Sequence, residues 1–351
     1  YGECGMQLSD WVPEMGACAD DLAVVRSMYT TDDNHGAQTQ FHSGRHMLDG
    51  EYPTLGAWVH YGLGSLNENL PQFISIGGRE YWNAKDGHYL GPEHDAVPVR
   101  VDPANPLDYG QRPAGISQRQ QQLGFQLTER WNRLRQQQYP GDAALAARLR
   151  SYELAYRMQS EASEAFDIAR EPKHVLEMYG SGTHGRQLLI TRRLIERGVR
   201  FVQVWSGAGQ PWDNHDNLEN QHKSLAEQWD GPIAAFLTDL KQRGLFEETV
   251  VLWGGEFGRT PHVKQKDGRD HNGTAYSMWL AGGGVKGGLR YGQSDQFGIK
   301  AVEDKVHPHD LHATLLHSLG LDHEQLTYRY GGRDYKLTGV GGARVLKEIL
   351  T

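Results

Sequence analysis

The chain has 351 residues, enough for one large α/β domain or a domain carrying a sizeable insertion. A net charge of -8 without any basic block argues against nucleic acid as a partner, and no run of eighteen apolar residues exists to cross a membrane. Charged residues at 23% and aromatics at 10% fit a folded chain rather than a disordered one, and seventeen histidines, the commonest metal-ligand type, point toward a metal.

The chain opens Tyr1-Gly2-Glu3-Cys4, with neither an initiator Met nor an apolar signal core, as expected of a processed, trimmed or fragmentary form. Cys4 and Cys18 allow one disulfide in an exported protein or two free thiols, and no C-x-x-C is present for zinc or redox work. A short helix over 8–17 leads into the strand Leu22–Met28, a polar loop over 30–35 and a helix over 37–44. A helix start at Asn34-His35 would point free backbone N–H groups at an anion. A helix over 55–61 and a strand over 73–76 follow. Residues 79–115, with Pro and Gly but no periodicity, read as an irregular excursion over the site mouth.

Residues 116–172 change character. They are rich in Gln, Arg and Glu, with Leu123, Leu127, Trp131 and Leu134 near the helical repeat. That predicts two helices broken at Pro140-Gly141, forming a helical insertion within a single domain that spans 1–351. From 184 the pattern is β-α-β: a helix over 184–197, a buried strand over 199–205, and a helix with Leu225, Trp229, Ile233, Phe236, Leu237 and Leu240 on one face. A strand over 249–253 closes the unit, which predicts a parallel sheet covered by helices. A strand over 276–281 and a helix over 309–319 complete the chain.

Acidic and histidine residues recur where these strands end, and in open α/β sheets ligands sit beyond the carboxyl ends of strands. Asp213 and His215 follow one strand, Glu256 and Arg259 follow the next, and Asp270-His271 precedes a third. Carboxylate with imidazole suits zinc, manganese or iron better than a thiolate site would. Taken singly, Asp213-x-His215 and Asp270-His271 also fit surface polar loops, and Glu256 fits a cap or an ion pair with Arg259. Arg259 equally fits a two-pronged clamp on phosphate or sulfate. Asn34-His35 by itself fits a cap and turn. His42 and His46 lie four apart on a helix and fit an exposed face better than a metal pair. His307, His309 and His312 open a packing helix, and Trp205 and Trp253 read as core or site wall.

These residues carry a resemblance. The run Val250-Val251-Leu252-Trp253-Gly254-Gly255-Glu256-Phe257-Gly258 resembles a strand and turn of the alkaline phosphatase and sulfatase superfamily. Asp270-His271 before the strand and glycine-rich turn of 276–288 is similar to that superfamily's late metal histidine, and His309-Asp310-Leu311-His312 with Thr314-Leu315-Leu316 to its closing helix. Over nearly the whole chain the sequence looks like the sulfatase-like family fifteen-oh-one among the domains of unknown function. That likeness rests on LIERGVRFVQV (194–204), GGEFGRT (254–260), GRDH (268–271) and residues 326–333.

The resemblance implies an alkaline-phosphatase-like α/β fold, with a mostly parallel sheet flanked by helices, and a periplasmic or cell-surface location. It implies a divalent metal (Zn, Ca, Mg or Mn) on Asp213, His215, Glu256, Asp270 and His271, with Asn34, His35 and Arg259 holding the anion or acting on it. The expected activity is hydrolysis of a phosphate or sulfate ester, small or glycan-borne. The departures are specific. Asn34, which is no nucleophile, stands where the superfamily has Ser, Thr or Cys, leaving His35 or a metal-activated water; Glu256-Phe257 replaces an Asp-His. The superfamily's early metal-binding Asp on a first strand has no counterpart in this sequence. These departures support the alternative of a catalytically silent relative that binds an anionic glycan or serves in the envelope.

Overall fold

The computed structural model describes residues 1–67, 69–78, 85–101, 114–157, 163–263 and 267–351. In chain order the principal elements are α1 (Pro13–Ala17), β1 (Leu22–Met28), α2 (Ala37–Ser43), α3 (Leu55–Leu63), β2 (Phe73–Ile76) and β3 (Val97–Val99). A helical stretch follows: α4 (Gln118–Gln138), α5 (Ala143–Arg157), α6 (Ser163–Phe166), α7 (Lys173–Tyr179) and α8 (Thr183–Ile195). The last part holds β4 (Phe201–Val204), α9 (Leu218–Gln242), β5 (Val251–Trp253), β6 (Gly258–Arg259), β7 (His271–Asn272), β8 (Tyr276–Ala281), β9 (Leu289–Tyr291) and α10 (Pro308–Ser318).

The strands form a mixed arrangement, which corrects the expectation of a mostly parallel sheet. One four-stranded sheet runs β5-β8-β1-β9 and a separate three-stranded sheet runs β3-β2-β4. The second is all parallel, whereas β8 lies antiparallel to both β1 and β5. The expected parallel pairing of β4 with β5 across α9 is therefore absent among the described residues: each is the edge of its own sheet. The chain turns back between β5 and β8 through the short antiparallel pair β6–β7, so β8 returns against β5.

Two cores follow from this layering. One, under α8 and α9, holds Ile74, Ile76, Leu189, Leu194, Trp229, Leu237 and Leu240. The other, under α3 and α10, holds Val25, Met28, Trp58, Met278, Leu280, Leu311 and Leu316. Between α8 and α9 sits a buried charge network. Arg192, 1% exposed at its side chain, pairs with Glu171 at 2.7 Å, Asp239 at 2.9 Å and Glu196 at 2.6 Å. Arg243 also reaches Asp239 at 2.7 Å, and the Tyr179 hydroxyl donates to it at 3.0 Å.

Helix boundaries moved little, except that the expected first helix is confined to Pro13–Ala17. α2 ends where Gly44 takes φ 71°, its N–H closing on the Gln40 carbonyl. The helical arm is present as α4 and α5. Ser117 caps α4 through its hydroxyl, and no α4 residue is buried. Of the expected excursion over 79–115, residues 79–84 and 102–113 lie outside the described residues, and β3 falls in its middle. Pro98 is tolerated in β3 because that strand is a sheet edge. Cys4 and Cys18 are both free thiols.

Candidate metal and active site

Three loops meet above β1, β4 and β5. The loop after β1 is tied to the one after β7, because Thr30 N–H donates to the Gly273 carbonyl at 2.7 Å. The loop after β4 is tied to the segment just before β7: Arg269 N–H donates to the Asn214 carbonyl at 3.2 Å, and Asn217 N–H to Asp267 Oδ1 at 2.6 Å. Gly268 permits this approach. A Cβ there would lie 1.9 Å from the His215 backbone, so any other residue would push the two loops apart.

The side chains so placed surround one carboxylate. Asp213 Oδ2 lies 2.9 Å from His35 Nε2. Its Oδ1 lies 3.1 Å from His271 Nε2, 3.2 Å from His215 Nε2, and also takes Arg259. Two further carboxylates form the rim. Glu256 Oε1 is 3.4 Å from His35 Nδ1 and accepts from Gln38 Nε2 at 3.4 Å, and Asp270 Oδ1 is 3.2 Å from His215 Nδ1. His35, Asp213 and His271 each offer one ligand atom within 4.8 Å of the others.

Asp213, His35 and Glu256 are displaced from their ordinary values. Burial works against ionisation of Asp213, but Arg259, His271 and His215 outweigh it and hold its carboxyl down at about 2. The hydrogen bond to Glu256 pushes His35 up against the opposing effect of burial, with Asp213 adding to the rise. Glu256 is likewise penalised by burial, yet His35, its own backbone N–H and Gln38 bring it below its ordinary value.

The hydrogen-bond pattern tests whether a cation fits. His271 Nδ1 lies 2.6 Å from the Asp33 carbonyl, which can only accept, so Nδ1 carries the proton. Its Nε2 lone pair then faces Asp213 Oδ1 at 3.1 Å, two acceptors across a gap that needs a proton or a metal ion between them. His35 and His215 repeat the problem, each with both ring nitrogens turned to carboxylate oxygens. Metal-bound nitrogen and oxygen sit at about 2.0–2.2 Å, so donors this close can share one ion after small shifts. The donor set fits a divalent metal, and the Asp33 carbonyl orients its histidine.

Of the residues singled out from sequence, His35, Asp213, His215, Glu256, Arg259, Asp270 and His271 come together. Asn34 does not join them: it is exposed, and its side chain accepts from His35 N–H at 2.8 Å. Asn34 N–H in turn donates to Asp32 Oδ1 at 2.9 Å. This corrects the expected anion-binding turn, whose N–H groups are already taken by neighbouring side chains, while α2 itself starts at Ala37. Arg259 is engaged by Asp213 rather than by Glu256 and stacks over Phe257. Phe257 stacks on His271 at 4.3 Å between centroids.

The other histidines singled out from sequence lie outside this cluster. His42 is half-buried on Gln203 and Trp205, and burial pushes it down to about 4. His46 pairs with Asp32 at 3.1 Å. His309 and His312 bond the Gly44 and Phe41 carbonyls at 2.5 and 2.6 Å, while His307 caps α10. Sequence reasoning missed Gln38 and the Asp33 carbonyl. Gln38 lies three residues past His35, in the first turn of α2, a legible signal; a backbone carbonyl has none.

Two comparisons with solved structures give remote likenesses. The crystal structure of Ps i-CgsB in complex with k-i-k-neocarrahexaose is 8% identical, covers 89% of this chain and 67% of that one, and gives a TM-score of 0.43. The crystal structure of PsFucS1 sulfatase from Pseudoalteromonas sp. is 11% identical, covers 88% and 62%, and gives 0.41. The chain thus spans about two thirds of the length of these structures. No curated protein matches the chain. A family model described as "Protein of unknown function (DUF1501)" matches residues 1–350, and the chain belongs to that family.

Proposed function

We propose that this protein is a metal-dependent hydrolase of a phosphate or sulfate ester, with His35, Asp213 and His271 holding one divalent ion. The observation that carries the reading is the pair of acceptors facing each other, His271 Nε2 and Asp213 Oδ1 at 3.1 Å, with the histidine proton fixed on its far side by the Asp33 carbonyl. A proton or a metal ion between them satisfies both, and the ligand atom of His35 within 4.8 Å of the other two supports the metal. A divalent ion, when bound, would supply Lewis-acid polarisation of an ester oxygen.

The chain's own residues have separate tasks in this reading. His35 is fixed between Asp213 and Glu256, and Gln38 holds Glu256 in turn. His215 is half exposed and backed by Asp270, the arrangement of a general base or acid oriented by a carboxylate. It takes the proton of the attacking water and returns one to the departing alcohol as the ester bond breaks. Arg259 stands at the same carboxylate with a fork suited to two anion oxygens. An exported location accompanies the family resemblance.

The test is elemental analysis of purified protein alongside turnover of 4-nitrophenyl sulfate and phosphate. The pair of substitutions Asp213→Ala and His271→Ala is expected to remove both metal and turnover. Full metal content and full activity in that double variant would end the assignment. A second reading, a non-catalytic binder of anionic glycans, rests on the exposed Asn34 at the nucleophile position. Saturable binding of a sulfated oligosaccharide with no turnover at full metal loading would favour it.

A further inference from the structure

The hairpin of Tyr328–Tyr330 and Arg333–Tyr335 gathers one kind of chemistry on one face. It turns at Gly331-Gly332, whose φ values of 56° and 88° suit a two-residue hairpin loop. Tyr328 lies opposite Tyr335 and Tyr330 opposite Arg333, and residues two apart on a strand share a face. The other face carries Arg329 and Asp334, an ion pair at 3.2 Å.

Tyr89 meets the aromatic face. Its ring lies 19° from that of Tyr330 at 5.2 Å and 24° from that of Tyr328 at 5.9 Å. Tyr335 and Tyr52 complete the group, 5.1 and 6.1 Å from Tyr89. His88, just before Tyr89, is held at φ 44°, a backbone conformation that costs energy in a residue with a Cβ.

Two guanidinium groups border the rings. Arg333 stands 4.3 Å over Tyr335 and Arg45 5.1 Å over Tyr52. Among the described residues neither has an ion-pair or hydrogen-bond partner. The acids beside them are turned elsewhere, Glu51 to His88 at 3.6 Å and Asp334 to Arg329. Both cations reach the Tyr89 hydroxyl, where they oppose the upward push of burial. Tyr330 is 53% exposed and Arg333 is exposed, so the group opens to solvent. It is also tied to the metal cluster. His46, next to Arg45, meets Asp32 at 3.1 Å, and the carbonyl of the adjacent Asp33 holds His271.

We infer that these tyrosines and arginines form a binding subsite for a sulfated glycan, with sugar rings on the tyrosines and sulfate groups on Arg45 and Arg333. A sugar ring has an apolar C–H face and a hydroxyl rim, and tyrosine offers the matching apolar body and polar tip. A guanidinium fork gives paired N–H donors to one oxyanion. A net charge of -8 opposes a nucleic acid, whose every unit is charged. A phosphopeptide would use the arginines but leave the flat tyrosine faces unmatched. That the glycan carries the ester cleaved at the metal cluster rests on the hydrolase reading; the binding itself does not.

The probe is low-molecular-weight dextran sulfate, titrated into the full chain by calorimetry, with neutral dextran and a phosphotyrosine peptide alongside. The expected result is saturable binding of dextran sulfate, with slower amide exchange in 328–335 and none in α4. Tyr330→Ala removes a ring and Arg333→Lys keeps the charge but loses the fork, and each is expected to bind at least about fivefold more weakly. Both positions are exposed, so these substitutions spare the core. Arg130→Ala removes the same charge from exposed α4 and is expected to leave the affinity unchanged. Wild-type turnover of 4-nitrophenyl sulfate is read separately: if it is absent the hydrolase reading falls, while the subsite stands or falls on its binding. The inference is overturned if dextran sulfate does not bind saturably, or if Tyr330→Ala and Arg333→Lys bind it as wild type does. Equal weakening by Arg130→Ala, or tighter binding of neutral dextran or the phosphotyrosine peptide, overturns it as well.

Discussion

Replacing Asp213 by Asn keeps the shape of the side chain and removes the charge on which the site converges. The carboxyl drops from its usual 3.8 to about 2 in the fold, and its side chain is only 11% exposed, so solvent screening does little to discount it. A depressed carboxylate contributes stability that is present above 3.8 and lost as pH falls through about 2; at neutral pH this is roughly 2 kcal/mol. Unfolding entropy of about 2.1 cal/mol/K per residue makes 1 kcal/mol worth about 1.4 °C in a chain of this length. Chelator-treated Asp213→Asn should therefore melt about 3 °C below chelator-treated wild type.

Metal linkage gives the second half of the test. Wild type with Zn²⁺ at a hundred times its Kd gains about 2.7 kcal/mol, or about 4 °C. An oriented carboxylate lost from the cluster weakens affinity at least about 100-fold, and the gain at the same Zn²⁺ concentration shrinks to about 0.4 kcal/mol, under 1 °C. Scanning calorimetry at pH 7 with and without Zn²⁺ reads both numbers. If metal-free Asp213→Asn is as stable as wild type and its Zn²⁺ shift is intact, the reasoning about this carboxylate is wrong.

Three other outcomes are expected. Arg192→Met strands Glu171 and Asp239 in the core, and because Arg193, Arg243 and Tyr179 still reach them the loss should sit near the low end for a broken buried pair, about 3 kcal/mol in urea unfolding; a loss under about 1 kcal/mol would contradict the network. Gly268→Ala should cost about 1–3 kcal/mol and lower metal content together with turnover, since its Cβ collides with the His215 backbone; unchanged metal content would show that the loops part without consequence. Burial holds His312 down at about 3 and His42, His60 and His307 at about 4, so each stays neutral in the fold while the unfolded chain takes a proton near 6.5. Stability contributed above pH 6.5 is lost as pH falls toward 4, by up to about 1.4 kcal/mol per pH unit for fully buried His312, and His312→Asn should flatten that slope in melts across this range.

Much of the site was legible because it sits in loops at strand ends, where apolar runs stop and Asp, Glu and His begin. The strands Leu22–Met28 and Tyr276–Ala281 and the helices α9 and α10 follow from periodicity alone. Strand partners do not. The run over 199–205 and the run over 249–253 are equally apolar, and nothing in either says that β5 pairs with β8 or that β4 stops at its own sheet. Hydrogen-bond allocation was equally hidden. In sequence Arg259 had Glu256 as its acid, and it meets Asp213 instead where the β6–β7 hairpin sets Arg259 opposite His271. The N–H groups of Asn34 and His35 looked free until Asp32 and Asn34 folded back on them.

The crowding of Asp213 has a consequence for how a cation would arrive. Oδ1 already faces two imidazoles and a guanidinium, and Oδ2 a third imidazole. Loading is an exchange rather than an addition: each imidazole that turns its nitrogen to the ion gives up hydrogen, and protons leave as the ion enters. An unbuffered solution of the protein should turn acidic when zinc is added.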